Sequence, residues 1–204
     1  MCDIISHIMN YIIVGLGNPG EEYIKTRHNT GRIMLDYFAD KNNFDEFEKD
    51  KRTNGLLTKG KIGKSSVILI EPETFMNKSG DCVSKFIKSK KDALGLVVIH
   101  DDLDLGMGKI KISFNKGSAG HRGLESIIKK IKTNEFIRVR VGISPVTPSG
   151  KIKKPLGEKK ILDFIIGKFS KKEDEVMKKV LKEVSEALTV IVEEGKDRAM
   201  NKYN

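Results

Sequence analysis

The chain has 204 residues, 38% hydrophobic and 32% charged, which is enough to form one domain with a buried core. Its best apolar strand candidate, residues 94–99, is far shorter than the ~18 residues that cross a bilayer, and its two cysteines provide no disulfide framework. We therefore expect a cytoplasmic protein that does not enter the membrane. The 38 basic and 28 acidic residues give a net charge of +10, which favours a nucleic-acid partner, although a generally lysine-rich surface explains the charge equally well.

Apolar strands alternate with helical segments along the chain. Buried strands are predicted at residues 11–16, 67–70 and 94–99, and half-buried strands at 109–114 and 137–143. Helices are predicted from residue 30, over 83–87, over 124–131, and over a long segment at 176–191 that stops at Gly195. Residues 144–160, with three of the five prolines and many lysines, are predicted to be a mobile surface loop. The order predicts a single three-layer α/β/α domain, residues 11–204, with a mixed, mostly parallel central sheet.

The sequence GLGNPG at residues 15–20 matches the GxGxxG fingerprint of dinucleotide-binding proteins. In that motif a helix begins within the glycine turn, so that its first amides contact the pyrophosphate. Here Pro19 and the residues after it delay the predicted helix by about ten positions. We therefore interpret the glycines as the end of a strand, and a nucleotide-dependent oxidoreductase as the weaker alternative.

Polar residues follow the predicted strands at the edge where parallel strands end together. Asn18 and His28 follow the first strand, Asn77 the second and Asp101 the third. A histidine paired with a carboxylate can activate water near neutral pH, and asparagines can hold a carbonyl group or a water molecule. The pattern suggests a hydrolase-like crevice.

Each of these residues also has a simpler explanation. Asn18 and Asn77 would be turn caps, and His28 an ordinary surface histidine. The acidic run of Asp101, Asp102 and Asp104 would be a solvated turn or a weak divalent-metal site. Residue patterns alone leave these alternatives open.

Taken together, these segments resemble the bacterial-type peptidyl-tRNA hydrolases. The strongest motifs are VGLGNPGEEYIKTRHNTG at residues 14–31, PETFMNKSG at 72–80, HDDLDLGMGKIKI at 100–112 and GSAGHRGLESI at 117–127. FIRVRVGI at 136–143 and EEGKDRAMN at 193–201 agree as well. The resemblance extends in order from about residue 11 to the C-terminus.

The resemblance implies an enzyme without metal or cofactor that cleaves the ester between a peptide and the 3′ end of tRNA. His28 would activate water, Asp101 would orient His28, and Asn18 and Asn77 would position substrate and water. Further substrate or tRNA contacts implied by family positions are Tyr23, Phe75, Met76, His121 and Arg122. Candidate contacts to tRNA phosphates are Lys109, Lys111, Arg138 and Arg140, each of which is also explained as a solvated strand face. We expect a monomer.

Three features depart from the family pattern. Arg122 stands where the family usually has asparagine, and arginine adds a fixed charge and cannot accept a hydrogen bond. Residues 144–160 are longer and richer in lysine than the corresponding family loop. Residues 1–10 form an N-terminal extension that we expect to be disordered, and because Met9 lies near the usual family start, we expect residues 1–8 to be disordered or absent in the cell. The alternative function is an RNA-binding protein that has kept the fold and lost the reaction.

Overall fold

The computed structural model describes residues 10–204, so the predicted N-terminal extension lies outside the described residues except for Asn10, which begins the first strand. The strands are β1 (Asn10–Gly15), β2 (Glu48–Asp50), β3 (Gly55–Ile62), β4 (Ser65–Pro72), β5 (Leu96–Gly106), β6 (Ile110–Phe114) and β7 (Ile137–Ser144). The helices are α1 (Thr30–Lys41), α2 (Ser79–Val83), α3 (Lys90–Ala93), α4 (Arg122–Ile131), α5 (Glu158–Ile166), α6 (Lys171–Glu194) and α7 (Lys196–Tyr203).

The strands form one mixed sheet in the order β2-β3-β4-β1-β5-β7-β6. The four central strands, β4, β1, β5 and β7, are parallel, whereas β2, β3 and β6 add antiparallel pairs at the two edges. The prediction of a mixed sheet with a parallel centre is confirmed. The strands β4, β1 and β5 are covered on both faces, which is why they appear in the sequence as continuous apolar runs. The strand β7, predicted to be half-buried because Arg138 and Arg140 alternate with its valines, is also buried along nearly its whole length.

Helices cover both faces of the sheet and give the predicted three layers. One core joins α1, α6 and α7 to the sheet, and the other joins α2, α3 and α4 to the opposite face. The long helix α6 begins with a capping box between Ser170 and Glu173, and the chain leaves it at Gly195, whose φ of 88° suits glycine. In residues 10–204, no helix combines the length and apolar character that a membrane span requires.

The start of α1 places the polar residues that follow β1. A β-carbon on Gly31 would overlap the carbonyl oxygen of Ile99 and the backbone nitrogen of Leu16. Glycine therefore lets the first turn of α1 lie directly against Ile99 of β5 and against Leu16, the residue after β1. A 3₁₀ turn, Arg27–Asn29, precedes this contact and brings His28 beside Asp101 of β5.

Several regions differ from the sequence prediction. The helix predicted over 83–87 is α2, which ends at Val83, and the strand predicted over 94–99 is β5, which continues to Gly106. The helices α3 and α7 were not predicted. Residues 43–64, which are charged and interrupted by glycines, contain the whole of β2 and β3, neither of which was predicted. The predicted loop at residues 144–160 contains an isolated bridge between Val146 and Ile152 and ends in the first turn of α5. The helix α5 has no buried residue, so it lacks the core-facing pattern by which α4 and α6 were predicted.

Candidate active site

A cavity of about 520 Å³ lies at the carboxyl ends of the parallel strands, where open α/β sheets usually bind ligands. It brings together most of the predicted site residues. Those that line it are Asn18, His28, Phe75, Met76, Asn77, Asp101, His121 and Arg122. Tyr23 does not line it and is half-buried in the turn before His28.

His28 and Asp101 form a buried pair in this cavity. Nδ1 of His28 lies 3.0 and 3.1 Å from the two carboxylate oxygens, and the residues are 8% and 3% exposed. Burial alone would raise the pKa of Asp101, but the charges of His28 and His121 and their hydrogen bonds hold it well below its usual range. The carboxylate is therefore ionised and can only accept, so Nδ1 of His28 carries a proton, and in the neutral ring Nε2 keeps its lone pair.

The surroundings of His28 make it a stronger base than a free histidine. Burial would lower the pKa of His28, and Arg122 acts in the same direction. The charge of Asp101 and the hydrogen bond to it outweigh both, so the pKa of His28 is raised above its usual value.

Two further histidines surround Asp101. Nε2 of His121 lies 3.1 Å from a carboxylate oxygen, while its Nδ1 accepts the backbone N–H of Leu124 at 3.4 Å as the N-cap of α4. Nδ1 of His100 donates to the backbone carbonyl of Asp101 at 2.7 Å. Burial and the nearby His121 lower the pKa of His100 to about 3, so this ring is neutral. Asp101 thus fixes the protonated nitrogen of three imidazoles. Of these contacts, only the pairing with His28 was predicted.

Asn29, which was not predicted, holds Asn18 in place. Its side-chain oxygen accepts the backbone N–H of Asn18 at 2.8 Å, and its Nδ2 donates to the backbone carbonyl of Asn18 at 2.9 Å. Oδ1 of Asn18 in turn accepts the backbone N–H of Met76 at 2.8 Å. These bonds join the loop after β1 to the 3₁₀ turn Met76–Lys78, which carries the exposed Asn77.

A second, cationic cavity of about 240 Å³ adjoins the first and shares His100 and Asp102 with it. Its basic lining residues are Lys111, Lys116, Arg138 and Arg140; Lys109 is not among them. The predicted phosphate contact Arg138 is buried, and its guanidinium donates to the carbonyl of Gly117 at 2.6 Å. Arg140 donates to Asp102 at 2.6 Å, while Lys111 is exposed.

Helix α5 forms another wall of the main cavity, which sequence analysis missed. Its contribution is apolar and comes from Ile161, Leu162, Ile165 and Ile166. At its first residue, Glu158 accepts a hydrogen bond from Arg122 at 2.7 Å. At its far end, Arg27 contacts the ring of Phe164 and forms a two-point ion pair with Glu173 of α6, with both distances 2.9 Å.

The acidic residues Asp101, Asp102 and Asp104 are buried or paired with basic residues. Asp101 and Asp102 are buried, so the acidic run is not a solvated turn. Asp102 pairs with Arg140, and Asp104 pairs with Lys154, so these carboxylates have basic partners. His28, Asp101 and His121 are the group in residues 10–204 whose ligand atoms could hold a metal ion, since those atoms lie within 4.8 Å of one another.

Comparisons with known proteins show the family to which the chain belongs. The family model described as peptidyl-tRNA hydrolase matches residues 12–204. A peptidyl-tRNA hydrolase from Clostridium botulinum strain Hall is 39% identical over 197 residues, covering 95% of this chain and 96% of that protein. One from Thermodesulfovibrio yellowstonii is 36% identical over 196 residues, covering 95% and 98%.

A solved structure supports the same assignment. The crystal structure of peptidyl-tRNA hydrolase from Acinetobacter baumannii superposes with a TM-score of 0.86 at 32% identity, covering 98% of this chain and 97% of that one. A mutant of the same enzyme gives a TM-score of 0.85 at 33% identity. With the family match extending over nearly the whole described chain, this protein belongs to the peptidyl-tRNA hydrolase family.

Proposed function

We propose that this chain hydrolyses the ester of peptidyl-tRNA in the main cavity, with His28 as the general base. The observation that carries the proposal is the buried His28–Asp101 pair, which leaves Nε2 of His28 with a free lone pair. Nε2 takes a proton from water as the water oxygen attacks the ester carbonyl carbon. The tetrahedral intermediate then breaks its bond to the tRNA 3′ oxygen, which leaves with the proton from the imidazolium. A positioned base of this kind accelerates a reaction by about 10²–10⁴-fold.

Asn18 and Asn77 supply neutral polar groups on the same cavity. Because Oδ1 of Asn18 accepts the Met76 N–H, this side chain presents its Nδ2 donor to a ligand. We assign that donor to the ester oxygen, where negative charge develops during attack. Asn77 is assigned to the peptide main chain. An ester has a better leaving group than an amide, so one base and a few fixed donors suffice without a metal or cofactor.

The apolar residues of the cavity suit the peptide and the terminal adenosine. Phe75 is 58% exposed beside the buried Met76, so its ring face is available for a base to stack on. The apolar face of α5 suits the side chains of the bound peptide. Tyr23 lies outside the cavity lining, and its predicted contact with substrate stays a prediction.

The tRNA backbone is assigned to the cationic cavity. Lys111 is exposed and Arg140 half-buried, so both can reach a phosphate, and each lost contact should reduce the salt slope of binding by about 0.7–0.9. Arg138 is buried under Gly117, and we assign it to holding the glycine-rich loop that carries His121. We further propose that the enzyme acts as a monomer in the cytoplasm; sedimentation at assay concentration tests its oligomeric state.

The experiment that tests this function is release of the N-acetyl-aminoacyl product from N-acetyl-aminoacyl-tRNA. Wild type should hydrolyse this substrate and spare free aminoacyl-tRNA, and chelator should not reduce the rate. His28→Ala should lose about 10²–10⁴-fold in rate while keeping its circular-dichroism spectrum and tRNA affinity. Substantial activity in His28→Ala would require another base.

The second candidate function is RNA binding without hydrolysis. Its only support in the sequence was Arg122, but the structure places that guanidinium on Glu158 and leaves the His28–Asp101 pair intact. Folded wild-type protein that binds tRNA and releases no product would establish this alternative.

A further inference from the structure

Asp101 lies between two imidazole nitrogens that belong to different elements. Nδ1 of His28, from the turn before α1, and Nε2 of His121, from the start of α4, lie 3.0 and 3.1 Å from its carboxylate. The three ligand atoms all lie within 4.8 Å of one another. His28 and His121 belong to distant parts of the chain. They meet at one carboxylate because of the fold and not because of a local motif.

These distances and ligand types suit a borderline transition-metal ion. Neighbouring ligands of tetrahedral zinc, with bonds of about 2.0–2.1 Å, are separated by about 3.3 Å. The two nitrogen–oxygen separations are therefore within a few tenths of an ångström of that spacing. Two imidazoles and one carboxylate also form a usual three-ligand zinc set, with a fourth position left for water.

We propose that His28, Asp101 and His121 form an inhibitory site for Zn²⁺ or a similar divalent transition metal. The inhibitory part rests on the proposed function, since it requires His28 to be the base. The ion competes with the protons that now lie on Nδ1 of His28 and Nε2 of His121. It is a regulator of the enzyme and takes no part in turnover.

The proton positions explain why a bound ion would stop the reaction. When Nδ1 of His28 binds the metal, the neutral ring carries its proton on Nε2, the atom that must accept a proton from water. The ion also neutralises the charge of Asp101 that makes His28 a strong base. The ion therefore removes the lone pair of Nε2 and also removes the charge that strengthens His28 as a base.

Binding has a small structural cost and an accessible route. His121 must carry its proton on Nδ1, so it gives up the 3.4 Å hydrogen bond from Leu124, which is the longest bond of the cluster. All three ligand residues line the main cavity. Arg122 lines it too, and its positive charge opposes a cation there. Arg122→Asn should therefore bind zinc more tightly than wild type.

The test measures zinc binding without substrate, by competition with a chromophoric chelator. Wild type should bind one Zn²⁺ per chain. His121→Asn removes a ligand and keeps a good N-cap for α4, so it should fold and bind zinc at least about tenfold more weakly. The matched control is Cys2→Ser/His7→Gln, which removes the thiol and the imidazole of residues 1–9, outside the described residues, and should bind like wild type.

Activity is then measured across the same zinc range. Hydrolysis should fall as the site fills and return on adding EDTA. Unchanged binding in His121→Asn, loss of binding in the Cys2/His7 control, or no binding by wild type would each overturn the metal site. Binding at the triad with an increased rate would overturn inhibition. Because binding is measured without substrate, an inactive protein that still binds zinc contradicts the proposed function alone.

Discussion

The main cavity has two walls that are held in different ways. The wall with His28, Asp101 and Asn18 is fixed by hydrogen bonds: the buried His28 pairs with Asp101 of β5, and the half-buried Asn18 is held by Asn29. The other wall, α5, has no buried residue and contributes apolar side chains. The difference suggests that the reacting groups are fixed, whereas the surface facing the variable peptide is free to adjust.

The same contrast recurs between the two ends of α5. Near its C-terminal end, Arg27 stacks on Phe164 and binds Glu173 at two points, with both charged side chains largely buried. At its N-terminal end, Arg122 and Glu158 pair while 60% and 84% of their side chains are exposed. Exposed pairs contribute only about 0–1 kcal/mol. The helix is therefore anchored at the end next to His28 and loosely held at the other.

The largest loss of activity should come from Asp101→Asn, which disrupts the wall of His28, Asp101 and Asn18, the fixed wall. The variant loses the charge and hydrogen bond that raise the pKa of His28, leaving burial and Arg122 to lower it. Because His28 must be neutral to act, activity rises with pH through its pKa. A lower pKa therefore moves the acidic limb of the pH–rate profile, where activity rises, to lower pH. The rate should fall by about 10²-fold or more, since the base is weaker and its tautomer is no longer fixed.

The measurement is kcat against pH for wild type and Asp101→Asn. His28→Ala gives the rate that remains without the base. An acidic limb that stays where it is in wild type would show that Asp101 does not set the pKa of His28. A rate equal to wild type would remove Asp101 from the mechanism.

The fixed wall could be predicted from the sequence because the ends of apolar strands carry a clear signal. Apolar runs located β1, β4 and β5, and parallel strands must end at the same edge, so His28 and Asp101 were expected to meet. Asn29 and His100 were missed because their partners are backbone groups, which leave no pattern in the sequence. The helix α5 was missed because its apolar side faces a cavity, and Pro155 and Gly157 precede its short run.

A smaller loss is expected for Asn29→Ala, which keeps every reacting group. It removes both hydrogen bonds to the backbone of Asn18, so the Asn18 donor is no longer held toward the cavity. The loss of these two partly buried hydrogen bonds should lower the free energy of unfolding by about 1–3 kcal/mol. The rate should fall by about tenfold, with the acidic limb unchanged because the His28–Asp101 pair remains.

Denaturant unfolding and a pH–rate profile check this variant together. Asn18→Ala is the matched control, because it removes the donor itself. If Asn29 acts through Asn18, the double variant should be no slower than Asn18→Ala alone; multiplied losses would contradict that route.

Next in size should be Arg27→Met, which releases the anchored end of α5 and preserves the apolar stem. The substitution deletes a largely buried, two-point ion pair with Glu173 and the contact with Phe164. We expect a loss of about 1–3 kcal/mol in the free energy of unfolding. KM should rise more than kcat falls, because the wall facing the peptide moves while the base stays paired. A change confined to kcat would mean instead that Arg27 positions its neighbour His28.

The smallest effect should come from Glu158→Gln, which weakens the exposed end of α5. Its ion pair with Arg122 is worth about 0–1 kcal/mol, so stability should change by no more than that, and kcat by less than about threefold. Arg122→Asn breaks the same ion pair and also removes a charge that lowers the pKa of His28. Of the two variants, only Arg122→Asn should therefore move the acidic limb of the pH–rate profile to higher pH. Comparing the two variants separates the effect of losing the ion pair from the effect of losing the Arg122 charge. If Glu158→Gln reduced stability and activity as much as Arg27→Met, both ends of α5 would hold the helix equally firmly. The conclusion that its N-terminal end is loosely held would then be wrong.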